Sequence, residues 1–302
     1  MTLPATFLAH PWLFPSFAAL LGLVIGSFLN VVIVRLPRMM ERDWAAQARA
    51  WLAAEATAGG QAEGDIATDA PAPSVPAERF DLAWPPSHCP HCGHSLRWYD
   101  NLPVIGWLRL RGRCAHCGGP IAWHYPVVEA LTAALFAACA WSYGPGLAAL
   151  AAMALCAALV ALAFIDAQTG LLPDDVTLPL LWAGLLLNTA GTFAPLPEAV
   201  IGAALGYGVL WVVFQGFRLA TGKEGMGFGD FKLLAALGAW FGWRALPEIV
   251  LLSSLAGVLV GGVLLLAGRA RRDDPLPFGP YLAAAGAMCL LTRQDGLGLL
   301  GF

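Results

Sequence analysis

Eight apolar runs, at roughly 12–34, 126–143, 147–166, 176–192, 198–218, 231–244, 247–268 and 279–292, alternate with shorter polar stretches along the chain. A helix needs about 20 mostly apolar residues to cross a bilayer core. The pattern therefore predicts an all-α polytopic membrane protein with about eight transmembrane helices, although several runs, notably the one at 231–244, are short. Between the first two runs lies a polar segment that is long by the standards of loops. Its first part, Glu41 to Ala58, is Ala-rich with Trp44 and Leu52 among spaced charges, which predicts a surface helix. The next part, Gly59 to Pro76, is rich in Gly, Ala, Pro and acids and reads as a flexible linker, with order resuming near Phe80. This divides the chain into a first helix at 1–36, a segment at 37–125 with an insert at about 41–80, and a helical bundle at 126–302.

Composition agrees with the pattern. Of 302 residues, 58% are hydrophobic and 12% charged, too apolar for an ordinary soluble core. A net charge of -3, with no basic run carrying interleaved aromatics, points away from a nucleic-acid partner and towards the lipid bilayer. The positions of the cations matter more. With the N-terminus periplasmic, every Lys and Arg except Arg244 and Arg293 falls on or beside the cytoplasmic side, which sets the orientation by the positive-inside rule. Met1 to Pro11 carries no Lys or Arg and no clear small-residue cleavage site follows, so no secretory signal peptide is expected and the first run should remain as a helix.

Two motifs carry chemistry. Cys89-Pro-His-Cys92 and Cys114-Ala-His-Cys117 are two CxxC pairs separated by 21 residues. Two such turns can close a tetrahedron of thiolates around zinc, with no open position for water, so the metal would staple a small domain at about 84–122. Two disulfides are the competing reading, disfavoured in a reducing cytoplasm. His88, His91, His94 and His116 lie nearby and read as surface residues, while Cys139, Cys156 and Cys289 sit in apolar runs as core filler.

The second motif is acidic. Asp166 closes one apolar run, and Asp230 opens another after the glycine-rich Gly225, Gly227 and Gly229. Acids at the edge of the hydrocarbon layer are costly and usually paired or functional. The map puts both at the cytoplasmic face, where they could share one proton and act as an acid and a base. Helix capping is the plainer reading for Asp230, and the favoured one for Asp174, Asp175 and Thr177. Gly202, Gly206 and Gly208 lie inside an apolar run with no preceding strand, which predicts helix packing.

In these residues the chain resembles the bacterial prepilin leader peptidases, membrane aspartyl proteases of the GxGD type. The resemblance rests on Gly26-Ser27-Phe28-Leu29-Asn30 with Arg35-Leu36-Pro37, the cysteine quartet with Tyr99 to Pro103 between its halves, and Tyr125 to Glu129. It continues through Asp166 to Pro179, Gly222 to Trp240 and Pro277 to Tyr281, with a long insert at about 41–80 as the main departure. The resemblance implies removal of leaders from type IV prepilins and type II secretion pseudopilins, after a glycine at the cytoplasmic face of the inner membrane. It also implies N-methylation of the new N-terminus using S-adenosylmethionine. Asp166 and Asp230 would be the catalytic pair, Gly227 and Gly229 would shape the active-site loop, and Cys89, Cys92, Cys114 and Cys117 would hold structural zinc. Glu129 is open between a third active-site acid and a helix-dipole partner, and Lys232 reads as an interface anchor or a counter-charge for the substrate. The methyl-transfer site is expected near the acids, around Trp98 to Asn101. Two readings from other classes are a transporter using Asp166 and Asp230 as a proton relay, and a non-catalytic zinc-ribbon scaffold.

Overall fold

The computed structural model describes residues 10–58, 79–223, 226–269, 271 and 276–292. Most of the Met1–Pro11 stretch, the linker expected at Gly59 to Pro76, Gly225, Arg272 and Arg293 lie outside the described residues. The described chain is helical: α1 (Leu13–Ala58), α2 (Ile105–Arg109), α3 (His124–Tyr143), α4 (Leu147–Thr169), α5 (Asp174–Asn188), α6 (Leu196–Thr221), α7 (Phe228–Phe241), a 3-10 turn (Trp243–Ala245), α8 (Leu246–Leu266) and α9 (Gly279–Thr292). Among these residues there is no strand, only two isolated bridges, His88 with Ser95 and Arg113 with Pro120.

Each of the eight apolar runs forms a helix, yet among the described residues five helices are long and apolar enough to cross a membrane. These are α1, α3, α4, α6 and the Trp243–Leu266 stretch containing α8. The fourteen residues of α7 rise about 21 Å, short of a hydrocarbon layer about 30 Å thick. Protein surrounds this helix: all of it except Phe228, Gly229 and Lys232 is buried. It is held from α5, where Trp240 donates its indole N–H to Leu180 O at 2.8 Å and Asn188 donates to Ala239 O and Trp240 O. The Asn188 carbonyl accepts from Phe193 N and Ala194 N, so this buried amide is satisfied on both sides. Trp240→Ala would leave a cavity here at a cost of about 3–5 kcal/mol.

Glycines set the closest helix contacts, as small residues do in membrane bundles. A Cβ at Gly22 would lie 2.6 Å from Ala133 Cα and one at Gly26 would lie 2.7 Å from Glu129 Cα, so α1 and α3 touch backbone to backbone. Gly202 and Gly206 bring α6 against Gly238 and Leu234 of α7, as expected for packing glycines. Gly208 differs, because nothing faces its Cβ position.

The surface helix expected from Glu41 is continuous with the first apolar run. α1 is a single helix of 46 residues with Pro37 inside it. Proline removes one intrahelical hydrogen bond, but the Ala, Glu, Arg and Met residues that follow are strong helix formers and carry the helix on. At about 69 Å it is more than twice the bilayer core, so its second half stands clear of the apolar bundle.

Candidate active site and metal centre

The residues at 79–123 form a lobe at the end of the bundle where α3 begins. Each CxxC builds the same turn. Gly93 N donates to Cys89 O and Cys89 N to His94 O; Gly118 N donates to Cys114 O and Cys114 N to Gly119 O. Gly93 and Gly118 take φ of 68° and 70°, the left-handed region that closes such a turn without a Cβ penalty. All four sulfurs lie within 4.8 Å of one another, with Cys89 and Cys117 at 3.9 Å. Zinc bound tetrahedrally to sulfur at about 2.3 Å requires sulfurs about 3.8 Å apart, so this donor set could hold a metal ion. Backbone N–H groups of Cys117 and His116 lower the Cys114 thiol, whereas at Cys92 the lowering by the His94 N–H is outweighed by burial and the three neighbouring thiols, which raise it, so the four sulfurs share their protons unequally. The four cysteines are unbridged. Three of the neighbouring histidines have other partners, His94 stacking on His116 at 4.5 Å and His88 meeting Pro86 O, while His91 lies beside Gly119.

Two buried side chains dock this lobe on the bundle. Arg35, from α1, donates to three carbonyls of one loop, Asp81 O at 3.0 Å, Leu82 O at 3.4 Å and Pro85 O at 2.6 Å. Glu129, from α3, accepts Val104 N–H at 2.7 Å at the start of α2. Glu129 lies in the second turn of its helix, and its carboxylate reaches the lobe. Asp100, within the Trp98 to Asn101 stretch, pairs with Arg109, whose guanidinium covers the Tyr99 ring.

The acids converge from separate helix ends. Asp166 is in the last turn of α4, which Gly170 terminates in a left-handed conformation with its N–H bonded to Asp166 O. Its side chain is 5% exposed, and Oδ2 accepts the N–H of Gly279, the first residue of α9, at 2.9 Å. Asp230 is the third residue of α7 and is 7% exposed, and Leu172, packed against its neighbour Gly229, also lies against Gly279, which donates to Asp166. Among the described residues no hydrogen bond reaches the buried Oδ1 of Asp230. A buried carboxyl oxygen in that state, beside a second carboxyl, suits a shared proton or a reacting water.

The N-cap residues are Gly227 for α7 and Pro173 for α5, neither of which has a side chain that caps, and Asp230, in the first turn of α7, accepts a hydrogen bond from the backbone of Gly227. Asp174 and Asp175 stand in the first turn of α5, while Thr177 turns its hydroxyl back to Pro173 O. Asp174 has another partner: Lys232 Nζ contacts both its carboxyl oxygens at 2.7 Å. That ion pair joins the start of α5 to the second turn of α7. Of the two loop glycines only Gly229 is required by space, since a Cβ on Gly227 would meet nothing closer than 4.0 Å. Gly227 has an ordinary φ of -80°, whereas a Cβ on Gly229 would lie 2.7 Å from Leu172 Cβ. Spacing pointed to neither Leu172 nor Gly279, because their roles depend on contacts between segments distant in sequence.

Comparison with known proteins identifies the family. Residues 20–143 match the bacterial Peptidase A24 N-terminal domain, and residues 153–262 match the type IV leader peptidase family. A prepilin leader peptidase/N-methyltransferase of Burkholderia pseudomallei is 54% identical over 95% of this chain and 88% of its own length. Relatives of the same name from Aeromonas salmonicida and Pseudomonas putida are 51% and 47% identical, over 94% and 98% of this chain and 93% and 99% of their own lengths. No solved structure matches. With both family models matched in order and relatives aligned over nearly its whole length, this multi-pass helical chain belongs to the type IV leader peptidase family.

Proposed function

We propose that this protein is a membrane-embedded aspartyl endopeptidase of the bacterial inner membrane, removing the leader from type IV prepilins and pseudopilins at the cytoplasmic face and then N-methylating the new N-terminus. The observation that carries this reading is the convergence of Asp166 and Asp230, two buried carboxyls from helix ends 64 positions apart. An unpaired acid at such a boundary would be a cost with no return. Together they form an acid and base that can work on one water.

The ionised member takes a proton from that water as its oxygen adds to the scissile carbonyl carbon. The protonated member donates to the carbonyl oxygen. When the tetrahedral adduct collapses, the C–N bond breaks and the departing nitrogen takes a proton from the dyad. The Gly279 N–H holds Asp166 Oδ2 throughout, leaving the other oxygen of that carboxyl for the chemistry. The apolar helix of the substrate, lying in the bilayer, supplies the positioning.

Zinc fits the cysteine quartet and would staple the lobe that Arg35 and Glu129 dock, with no coordination position left for substrate. S-adenosylmethionine would supply a methyl group to the amine that proteolysis releases, so cleavage comes first. Spare polar capacity for a donor lies on the seam of α1 and α3, where Asn30 Oδ1 and His124 Nε2 are buried without a hydrogen-bond partner among the described residues. Orientation with the N-terminus periplasmic, and the division at 1–36, 37–125 and 126–302, are part of this reading, supported by the positions of Lys and Arg.

The test is incubation of purified protein with a prepilin in detergent, comparing wild type with Asp166→Asn and Asp230→Asn. Each variant should lose at least about a hundredfold in leader removal, in the range for loss of a general acid or base, while still inserting in membranes. Wild-type cleavage by both would overturn the dyad and leave a proton relay as the use for paired acids.

A further inference from the structure

The four residues joining α4 to α5 place one large side chain beside both acids. A Cβ on Gly229, next to Asp230, would meet Leu172 Cβ, Cδ1 and Cγ at 2.7, 3.2 and 3.4 Å. A Cβ on Gly279 would meet Asp166 Oδ2 at 2.7 Å and Leu172 Cδ2 at 3.1 Å. Leu172 thus fills the space between the backbone that leads to Asp230 and the backbone that binds Asp166.

Its position is fixed from both sides. Gly170 closes α4 at a φ of 67°, and Leu171 N donates to Thr169 Oγ1 at 3.3 Å. After it, Pro173 O accepts both the N–H and the hydroxyl of Thr177, and Asp174 pairs with Lys232 at a partly solvated position. A four-residue connection pinned at each end has little freedom to swing its middle side chain aside.

We propose that Leu172 is a specificity-determining residue that limits the size of the substrate residue immediately before the scissile bond. This rests on the reading of Asp166 and Asp230 as the dyad. The carbonyl under attack belongs to that residue and must reach both carboxyls, so its side chain points into a space already bounded by the Leu172 isobutyl group and two glycines. A hydrogen fits there; a methyl group competes with Leu172. Sites that discriminate single methyl groups do so by about 10–200-fold.

The experiment compares a prepilin carrying Gly before the cut with the same prepilin carrying Ala, as the ratio of their kcat/KM values, for wild type, Leu172→Ala, Leu172→Val and Leu172→Met. Shortening the side chain should raise the Ala-to-Gly ratio at least about tenfold in Leu172→Ala, and by a smaller factor in Leu172→Val. Leu172→Met, of similar volume, should keep the wild-type ratio. A merely structural role would lower both rates together and leave the ratio alone. An unchanged ratio in Leu172→Ala and Leu172→Val, or loss of both substrates by both variants, overturns the proposal. Asp166→Asn and Asp230→Asn assayed on the Gly substrate separate this outcome from failure of the dyad, because their loss of cleavage does not depend on residue 172.

Discussion

The amide of Gly279 donates to Oδ2 of Asp166 at 2.9 Å, and a Cβ at residue 279 would stand 2.7 Å from the same oxygen. The absence of a side chain is therefore part of how Asp166 is held. α9 opens against the carboxyl, so the positive end of its helix dipole also faces that acid. Gly279→Ala should displace the carboxyl and reduce prepilin cleavage at least about tenfold, with a stability loss of about 1–3 kcal/mol for overpacking. Gly257→Ala, whose added Cβ would meet Tyr281 at an ordinary 3.4 Å, should be close to wild type in the same assay and in thermal unfolding.

The pair formed by Lys232 and Asp174 is partly solvated, with side-chain exposures of 28% and 51%. Its contribution to stability should be below about 1 kcal/mol and weaken with salt. Asp174→Asn and Lys232→Met should each shift the melting temperature by no more than a few degrees, and the reversed pair, Asp174→Lys with Lys232→Asp, should recover part of any lost cleavage. An effect of Asp174→Asn as severe as that of Asp166→Asn would place Asp174 in the chemistry.

Removal of metal should act on the cysteine lobe and spare the bundle. Purified protein should contain about one zinc per chain, and Cys89→Ser with Cys92→Ser should release it. Limited proteolysis should then cut within 79–123 while the helical far-ultraviolet signal of the bundle persists. A metal analysis that finds none in the wild type would reject the site.

Glu129 and Arg35 should behave as docking residues. Glu129→Gln keeps an acceptor for Val104 N–H and should be mild, whereas Glu129→Leu strands that donor at a cost of about 1–3 kcal/mol. Were Glu129 a third acid in catalysis, Glu129→Gln would be inactive. Arg35→Ala leaves three loop carbonyls unpaired and should expose 81–85 to protease in hydrogen–deuterium exchange or digestion.

Acid should loosen the same loop. Asp81 is held below the usual carboxylate range by the Arg79 guanidinium and by the N–H groups of Trp84 and Ala83. A depressed folded-state value means that its contribution is fully present above the unfolded value of about 3.9 and is lost as pH falls through the lower folded one. Trp84 fluorescence should therefore change between pH 4 and lower values in wild type, and Asp81→Asn should show the altered signal already at pH 7.

The eight apolar runs and both CxxC turns were legible because their signals are local: period, length and spacing of cysteines. The pairing of Asp166 with Asp230 was legible as an expectation, since each acid is conspicuous at the edge of its run. What pattern missed depends on contact between distant segments. Gly279 and Leu172 carry no chemical signature, and the use of Asp174 by Lys232 competes with a capping role that its place beside Pro173 suggests equally well. The unbroken α1 was missed for a different reason, because Pro37 and the loss of apolar residues both suggest an end that the following helix formers override.

The encasement of α7 separates the depth of Asp230 from the thickness of the surrounding lipid. A helix that meets hydrocarbon along its length tilts or shifts when acyl chains shorten or lengthen. α7 takes its level from Trp240, Asn188 and the glycine seam with α6. Its aspartate should keep the same vertical position in short-chain and long-chain bilayers, so any dependence of turnover on acyl length would arise from how the client helix settles, with the enzyme acting as a fixed gauge.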